Sequence, residues 1–456
     1  MALFRNSGVI RQNRFAAYRS MPLRNAADLL GLAENCTFLE RKLFGVIYAM
    51  HMRVSMRKII ICTAFVLLLI GPPMPYGTAG TGLEAVKKMI GRQDAILVTD
   101  ADGRVLISKN ENRPLIPAST LKIFTALVAL HTLGPEYRFE TEFYCDDDDN
   151  LTIKGYGDPG LVSEVIAEIA LTLERKLSRV NNIILDASYF AQPLEIPGIS
   201  SSSEPYDAPN GALCVNFNTV FFKKENGTYL SAEPQTPLLP MVLGRITSSG
   251  LNEGRIVLSH NENEITLYSG YLFDHFLRQA GVTVTGKVAT GTVRPDRDHL
   301  VYRHQSPLAL CDTIARLLTY SNNYTTNQIL IMAGARRYGP PGTLEKGVQA
   351  AREYARNILH LSDFHISEGS GISRDNRITA RDMHKVLNAF APYHTLMRSD
   401  SRQFYKTGTL HGISTRAGYI ENPDGSLNRF VVLVNSPGRS AEQVTRRLIR
   451  SLEQGY

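Results

Sequence analysis

Three short groups of residues in this chain carry side chains suited to acyl-transfer chemistry. In PASTLKIFTALVAL, Pro117 to Leu130, a serine and a lysine lie three positions apart at the front of an otherwise apolar run. A helix that is apolar on every side is usually buried, and lysine is rarely buried without a partner. Either Lys122 snorkels out from the edge of the helix, or Ser119 and Lys122 act as a pair. Residues three apart share a helix face, and Pro117 suits a helix start. Ser119 would then lie where backbone N–H groups favour developing negative charge. A serine hydroxyl needs a base to become a nucleophile, and a partly buried lysine that has lost its proton can be that base. Alone the pattern is weak, since about one or two S-x-x-K matches arise by chance in a chain of this composition. Ser321-Asn322-Asn323 ends a helical stripe and by itself reads as a cap or turn. Lys406-Thr407-Gly408 opens a strand and by itself reads as an exposed edge lysine before a flexible glycine.

In this order the three groups form the S-x-x-K, S-x-N and K-T-G set of penicillin-recognising serine enzymes. The first opens a buried helix, the second falls between helices and the third lies on a strand. Ser119 and Ser321 stand 202 positions apart, unlike the short gap of class A β-lactamases. The chain resembles the D-alanyl-D-alanine carboxypeptidases/endopeptidases with an inserted domain, the low-molecular-mass class C penicillin-binding proteins. The resemblance runs through PASTLK, GYGDPGL, ILDASYF, YDAPNGALCVNFNTV, EGSGISRDN and KTGTLHGISTRAGYI, almost the whole chain beyond the leader.

That resemblance implies an α/β (α+β) fold of the penicillin-binding/β-lactamase-like transpeptidase type, an antiparallel sheet flanked by helices, with an inserted α+β domain. It implies that Ser119 is the acylated nucleophile and Lys122 its general base. Ser321 would relay a proton to the leaving amine, and Asn323 would contact the substrate amide. Lys406 and Thr407 would hold the terminal carboxylate beside Gly408, and the N–H groups of Ser119 and Thr409 would form the oxyanion hole. Arg374 matches a family arginine near the substrate's side-chain carboxylate, with a surface ion pair as the other reading. His411 stands where related enzymes often carry Gln. The acidic residue that some members send from the insertion has no clear match in ISSSSEPY, where Ser201 and Glu204 are nearest. Both departures bear on fine specificity. The implied partners are peptidoglycan stem peptides, with β-lactams as covalent inhibitors and no metal or organic cofactor. Two alternatives stay open: the same fold as a β-lactamase or esterase, or a non-catalytic peptidoglycan-binding protein.

The elements that must position these groups are partly legible. DAILVTDADGRVLISK reads as two strands joined at Asp102-Gly103. KTGTLHGISTRAGYIENPDGSLNRFVVLVNS reads as three more, and Ser440-Ala-Glu-Gln443 as a capping box before a final helix. Strand groups at opposite ends of the chain suggest one antiparallel sheet. The serine peptidase domain is thus expected from 80–142 and 300–456, with residues 143–299 inserted. Within the insertion, Val162 to Leu173 carry a helical stripe, Asp146–Asp149 read as a solvated acidic loop, and Pro197 to Gly211 as an extended loop.

Charge excludes one class of partner. The 456-residue chain is net +7, but residues 1–79 hold ten Lys/Arg against three acids and the remainder balances at 40 of each. The basic excess belongs to the leader and gives no argument for nucleic acid. Arg57-Lys58, the apolar run Ile59 to Ile70 and the G-T-A pattern ending at Ala79 read as an export signal over about 56–79. This twelve-residue run spans about 18 Å as a helix, short of the roughly 30 Å hydrocarbon core. Residues 1–55 then read as mis-called upstream sequence, the rival being a cytoplasmic tail on an uncleaved anchor. The expected location is the periplasm, with peripheral membrane contact left open. Cys145, Cys214 and Cys311 remain beyond the leader, an odd number without metal spacing, and read as small buried hydrophobes.

Overall fold

The computed structural model describes residues 81–454; the expected export signal lies outside them. Six antiparallel strands form the main sheet, in spatial order Arg398–Asp400, Gln403–Leu410, Ile413–Glu421, Leu427–Val434, Asp94–Thr99 and Val105–Lys109. Strands from the two ends of the chain therefore close on each other, Asp94 opposite Val434. Side chains alternate across a strand, and here both faces are covered. Ala95, Leu97, Val431 and Leu433 meet a large helical core. Ile96, Val98, Phe430 and Val432 meet Val86 and Leu448, on the helices Thr81–Lys88 and Ala441–Glu453. Unbroken apolar runs such as FVVLV are what a strand buried on two sides requires.

Helix Lys122–Leu133 threads the helical core, and its residues from Lys122 to Leu130 are all buried. Helices Leu310–Tyr320, Asn323–Tyr338, Leu344–Asn357 and Ala380–Phe390 surround it. Its entry departs from a plain α-helix start. Ala118 has a φ of 47°, outside the right-handed helical region, and Ala118–Leu121 forms a 3₁₀ turn before the α-helix begins at Lys122. Side chains three apart eclipse in a 3₁₀ turn, so the tighter geometry stacks Ser119 over Lys122.

A second, five-stranded sheet follows the order Val288–Thr290, Ile183–Asp186, Leu151–Gly155, Glu140–Cys145 and His299–Gln305. Helices Ser163–Glu174 and Glu262–Ala280 pack around its separate core. The boundaries expected at 142/143 and 299/300 fall inside its paired strands Glu140–Cys145 and His299–Gln305. A three-stranded sheet, Thr228–Ser231, Thr219–Glu225 and Glu253–Val257, completes this region.

Two local expectations are corrected. The Ser440 side chain makes no cap; the N–H of Ala441 donates to Ser414 Oγ at 3.0 Å instead, so a neighbouring strand satisfies a free helix donor. The acidic run is not simply solvated. Asp146 is buried, accepts the N–H groups of Asp148 and Asn150, and pairs with Arg294 at 2.6 Å. That arginine comes from 148 positions away, beyond any local pattern. Among the described residues no helix is long and apolar enough to cross a membrane, and Cys145, Cys214 and Cys311 are free thiols.

Candidate active site

The site forms where the 3₁₀ turn, the start of helix Asn323–Tyr338, the loop 367–376 and the strand Gln403–Leu410 meet. Lys122 is fully buried, which removes the snorkelling reading. Its Nζ lies 2.9 Å from Ser119 Oγ, 2.7 Å from Asn323 Oδ1 and 2.7 Å from the Ser370 carbonyl. Burial pushes this amine well below the usual lysine range, the charge of Lys406 pushes it further, and Glu368 opposes both. A neutral amine keeps two N–H donors for Asn323 and Ser370 and turns its lone pair to the Ser119 hydroxyl. That is the arrangement a serine nucleophile needs.

Ser321 caps helix Leu310–Tyr320 in the left-handed region, at φ 59°, which suits the turn between two helices. Its Oγ accepts from Lys406 Nζ at 2.8 Å, and the same amine donates to the Thr407 carbonyl at 2.8 Å. Lys406 is buried rather than exposed; it pairs with Ala417 of Ile413–Glu421 and lies just past the short strand Arg398–Asp400, whose pairing ends at Tyr405. Burial first, and Arg398 second, bring its amine down to about 8. Lys406 and Gly408 share one strand face, while Thr407 and Thr409 lie exposed on the other. A Cβ at Gly408 would come within 2.8 Å of Ser119 N, so only glycine lets the strand pass this close to the turn.

The loop 367–376 is built around a buried acid. Glu368 Oε2 accepts from Ser370 N (2.6 Å), Ser370 Oγ (2.7 Å) and Asn327 Nδ2 (3.1 Å). Its Oε1 accepts from Gly371 N (2.7 Å), Asn376 Nδ2 (2.7 Å) and Ser373 N (3.3 Å). Gly371 has a φ of 82°, and a Cβ there would lie 1.9 Å from the Ala118 carbonyl oxygen. The loop thus presses directly on the turn that carries Ser119.

Arg374 is exposed and donates to the His411 carbonyl at 2.6 Å. The structure therefore brings Arg374 and His411 together at the end of the Lys406 strand, without an acidic partner for the guanidinium among the described ion pairs. Ser201 and Glu204 are exposed on the loop leading to the turn Pro205–Asp207. In that turn the Tyr206 carbonyl accepts from Asn323 Nδ2 at 3.2 Å, and its ring stays exposed. Asn210 then fastens the loop to the Asn323 helix, donating to the Tyr324 carbonyl (2.9 Å) and Gln328 Oε1 (2.8 Å). Glu368, Ser370, Tyr206, Asn210 and Gln328 were not singled out from the sequence. Only the glycines of EGSG, on either side of Ser370, mark a loop at this point of the sequence.

Residues 83–237 and 241–403 match the D-Ala-D-Ala carboxypeptidase 3 (S13) family; the match stops just short of Lys406. A D-alanyl-D-alanine carboxypeptidase of Actinomadura sp. (strain R39) is 24% identical over 414 residues, covering 74% of this chain and 76% of that protein. The crystal structure of penicillin binding protein 4 (dacB) from Haemophilus influenzae aligns with a TM-score of 0.66 at 17% identity, covering 82% of this chain and 99% of that one. The same protein complexed with a β-lactam aligns with a TM-score of 0.63. The structural likeness is one of fold.

Proposed function

The chain belongs to the D-Ala-D-Ala carboxypeptidase 3 (S13) family, and we propose that it hydrolyses peptidoglycan stem peptides through an acyl-enzyme on Ser119. The observation that carries this reading is the buried Lys122 amine, 2.9 Å from Ser119 Oγ and depressed by burial. Neutral Lys122 takes the hydroxyl proton as Oγ attacks the carbonyl carbon of the penultimate D-alanine. The N–H groups of Ser119 and Thr409 receive the oxyanion. Ser321, hydrogen-bonded to Lys406, passes a proton to the leaving nitrogen, the C–N bond breaks, and D-alanine departs. Water then hydrolyses the ester and Ser119 recovers its proton.

Cationic Lys406, with Thr407, holds the terminal carboxylate, while Asn323 holds the peptide amide. Arg374 and His411 flank the strand end where the stem peptide's side chain would extend. The same site would cut D-alanyl–diaminopimelyl cross-links as an endopeptidase. Export to the periplasm belongs to this reading, and N-terminal sequencing of the secreted protein would find Gly80 first.

The test is labelling of the protein with a fluorescent penicillin beside Ser119→Ala. A covalent label that disappears in the variant, with D-alanine release from a stem pentapeptide, supports the reading. No label on folded protein overturns it and leaves wall binding without catalysis. Rapid penicillin turnover without D-alanine release would favour the β-lactamase alternative.

A further inference from the structure

The reaction needs Lys122 neutral and aimed at Ser119, yet burial and Lys406 alone say nothing about what aims it. Of its three contacts, one is a backbone carbonyl, that of Ser370. A carbonyl in a glycine-flanked loop is a poor reference point unless the loop is fixed from within. Here both the N–H and the hydroxyl of Ser370 donate to Glu368, so the carboxylate holds the residue whose carbonyl holds the base.

Glu368 is fully buried, and its two oxygens face only donors: Ser370, Gly371, Ser373, Asn376 and Asn327. The Ser370 hydroxyl, in turn, accepts from Ile372 N at 3.3 Å, which leaves its proton for Glu368. Five of the six groups around the carboxyl are backbone N–H or side-chain amide donors, and the sixth is the Ser370 hydroxyl, which is the shell a carboxylate takes. Hydrogen bonds, rather than a cation in direct contact, offset the desolvation of this buried group.

We propose that Glu368 is the positioning residue of the general base: an ionised carboxylate that fixes the Ser370 carbonyl against Lys122 and sets a negative charge beside it. This rests on the reading of Lys122 as the base of Ser119. The groups facing the amine are Ser119 and Asn323 on two helices and Ser370 in the loop, with Lys406 as the second buried charge acting on it. Glu368 thereby works against burial and Lys406. It keeps Lys122 basic enough to accept a proton while those two keep it from staying charged.

The experiment is the pH dependence of acylation by a fluorescent penicillin, measured for the full chain and for Glu368→Gln. Acylation rises with pH as Lys122 becomes neutral. Removing the negative charge makes the ammonium less stable, so the acid limb moves to lower pH, by roughly half a unit or more. The rate on the plateau falls about tenfold as Ser370 loosens. Glu368→Asp restores the wild-type limb, because the charge is retained. A purely structural acid would lower the rate at every pH without moving the limb, and that result overturns the proposal.

Should Glu368→Gln lose its cooperative unfolding transition, neutron diffraction on the unaltered protein decides. Glu368 without a deuteron supports the proposal, and a deuteron on it overturns it. Failure of the underlying reading looks different: wild-type protein would take no label at any pH.

Discussion

At the scale of single residues, the two lysines of the site divide the pH axis between them. In the proposed reaction Lys122 serves as a base when neutral, and burial depresses it well below the usual lysine range. Lys406 serves there as a cation, and burial brings it to about 8. For a substrate ending in a free carboxylate, kcat/KM therefore falls as pH rises through about 8, because Lys406 loses the charge that holds that group. A substrate amidated at its C-terminus lacks this contact, and its alkaline limb flattens; pH profiles of the two substrates check this. Lys122→Ala removes the base and lowers penicillin acylation at least about a hundredfold, read as the second-order labelling rate.

At the scale of elements, the site depends on close backbone contacts between a turn, a loop and a strand. Gly371→Ala would force a Cβ to within 1.9 Å of the Ala118 carbonyl at a positive φ. A loss on the order of 2–4 kcal/mol follows, measurable as a shifted urea midpoint, with acylation lost alongside. The sequence was most legible at this scale where the signal is local. A continuous apolar helix behind Ser119 and the strand runs at both ends were readable because period and turn residues express them directly. The partners of Lys122 were not all readable, since Asn323 and Ser370 lie 201 and 248 positions away. The S-x-N motif announced Asn323 only by resemblance. The shell of Glu368 and the Arg294 partner of Asp146 had no announcement, because hydrogen-bond and ion pairing across the fold leaves no periodic trace. Ser440 shows the converse: a cap pattern is legible there, yet its side chain caps nothing, and the Ala441 N–H at the helix start donates to Ser414.

At the scale of the whole molecule, buried polar groups join the second sheet's region to the helices of the site. Asp158, in the turn after Leu151–Gly155, is buried and pushed up to about 6 by desolvation, against hydrogen bonds from Gly160 and Ser306. An unfolded aspartate ionises near 3.8, so its stabilising contribution is full below that value and is lost as pH rises through about 6. Asp158→Asn should therefore melt higher than the unaltered protein at pH 7, by up to roughly 3 kcal/mol. The difference narrows toward pH 4, as paired thermal melts would show. Asn210→Ala unfastens the Tyr206 loop from helix Asn323–Tyr338; KM for a stem peptide should rise more than kcat falls, with roughly 1–2 kcal/mol of stability lost.

The main sheet carries a consequence of another kind. Asp94 receives the N–H of Asn435 from 341 positions further along the chain. At 5–20 residues per second, ribosomal synthesis takes roughly 17–70 s to cover that interval. Until then the strand Asp94–Thr99 has only Val105–Lys109 beside it in the sheet. Topology thus acts as a clock: a nascent chain carries Ser119 early but lacks the strand of Lys406 until 287 more residues have been added.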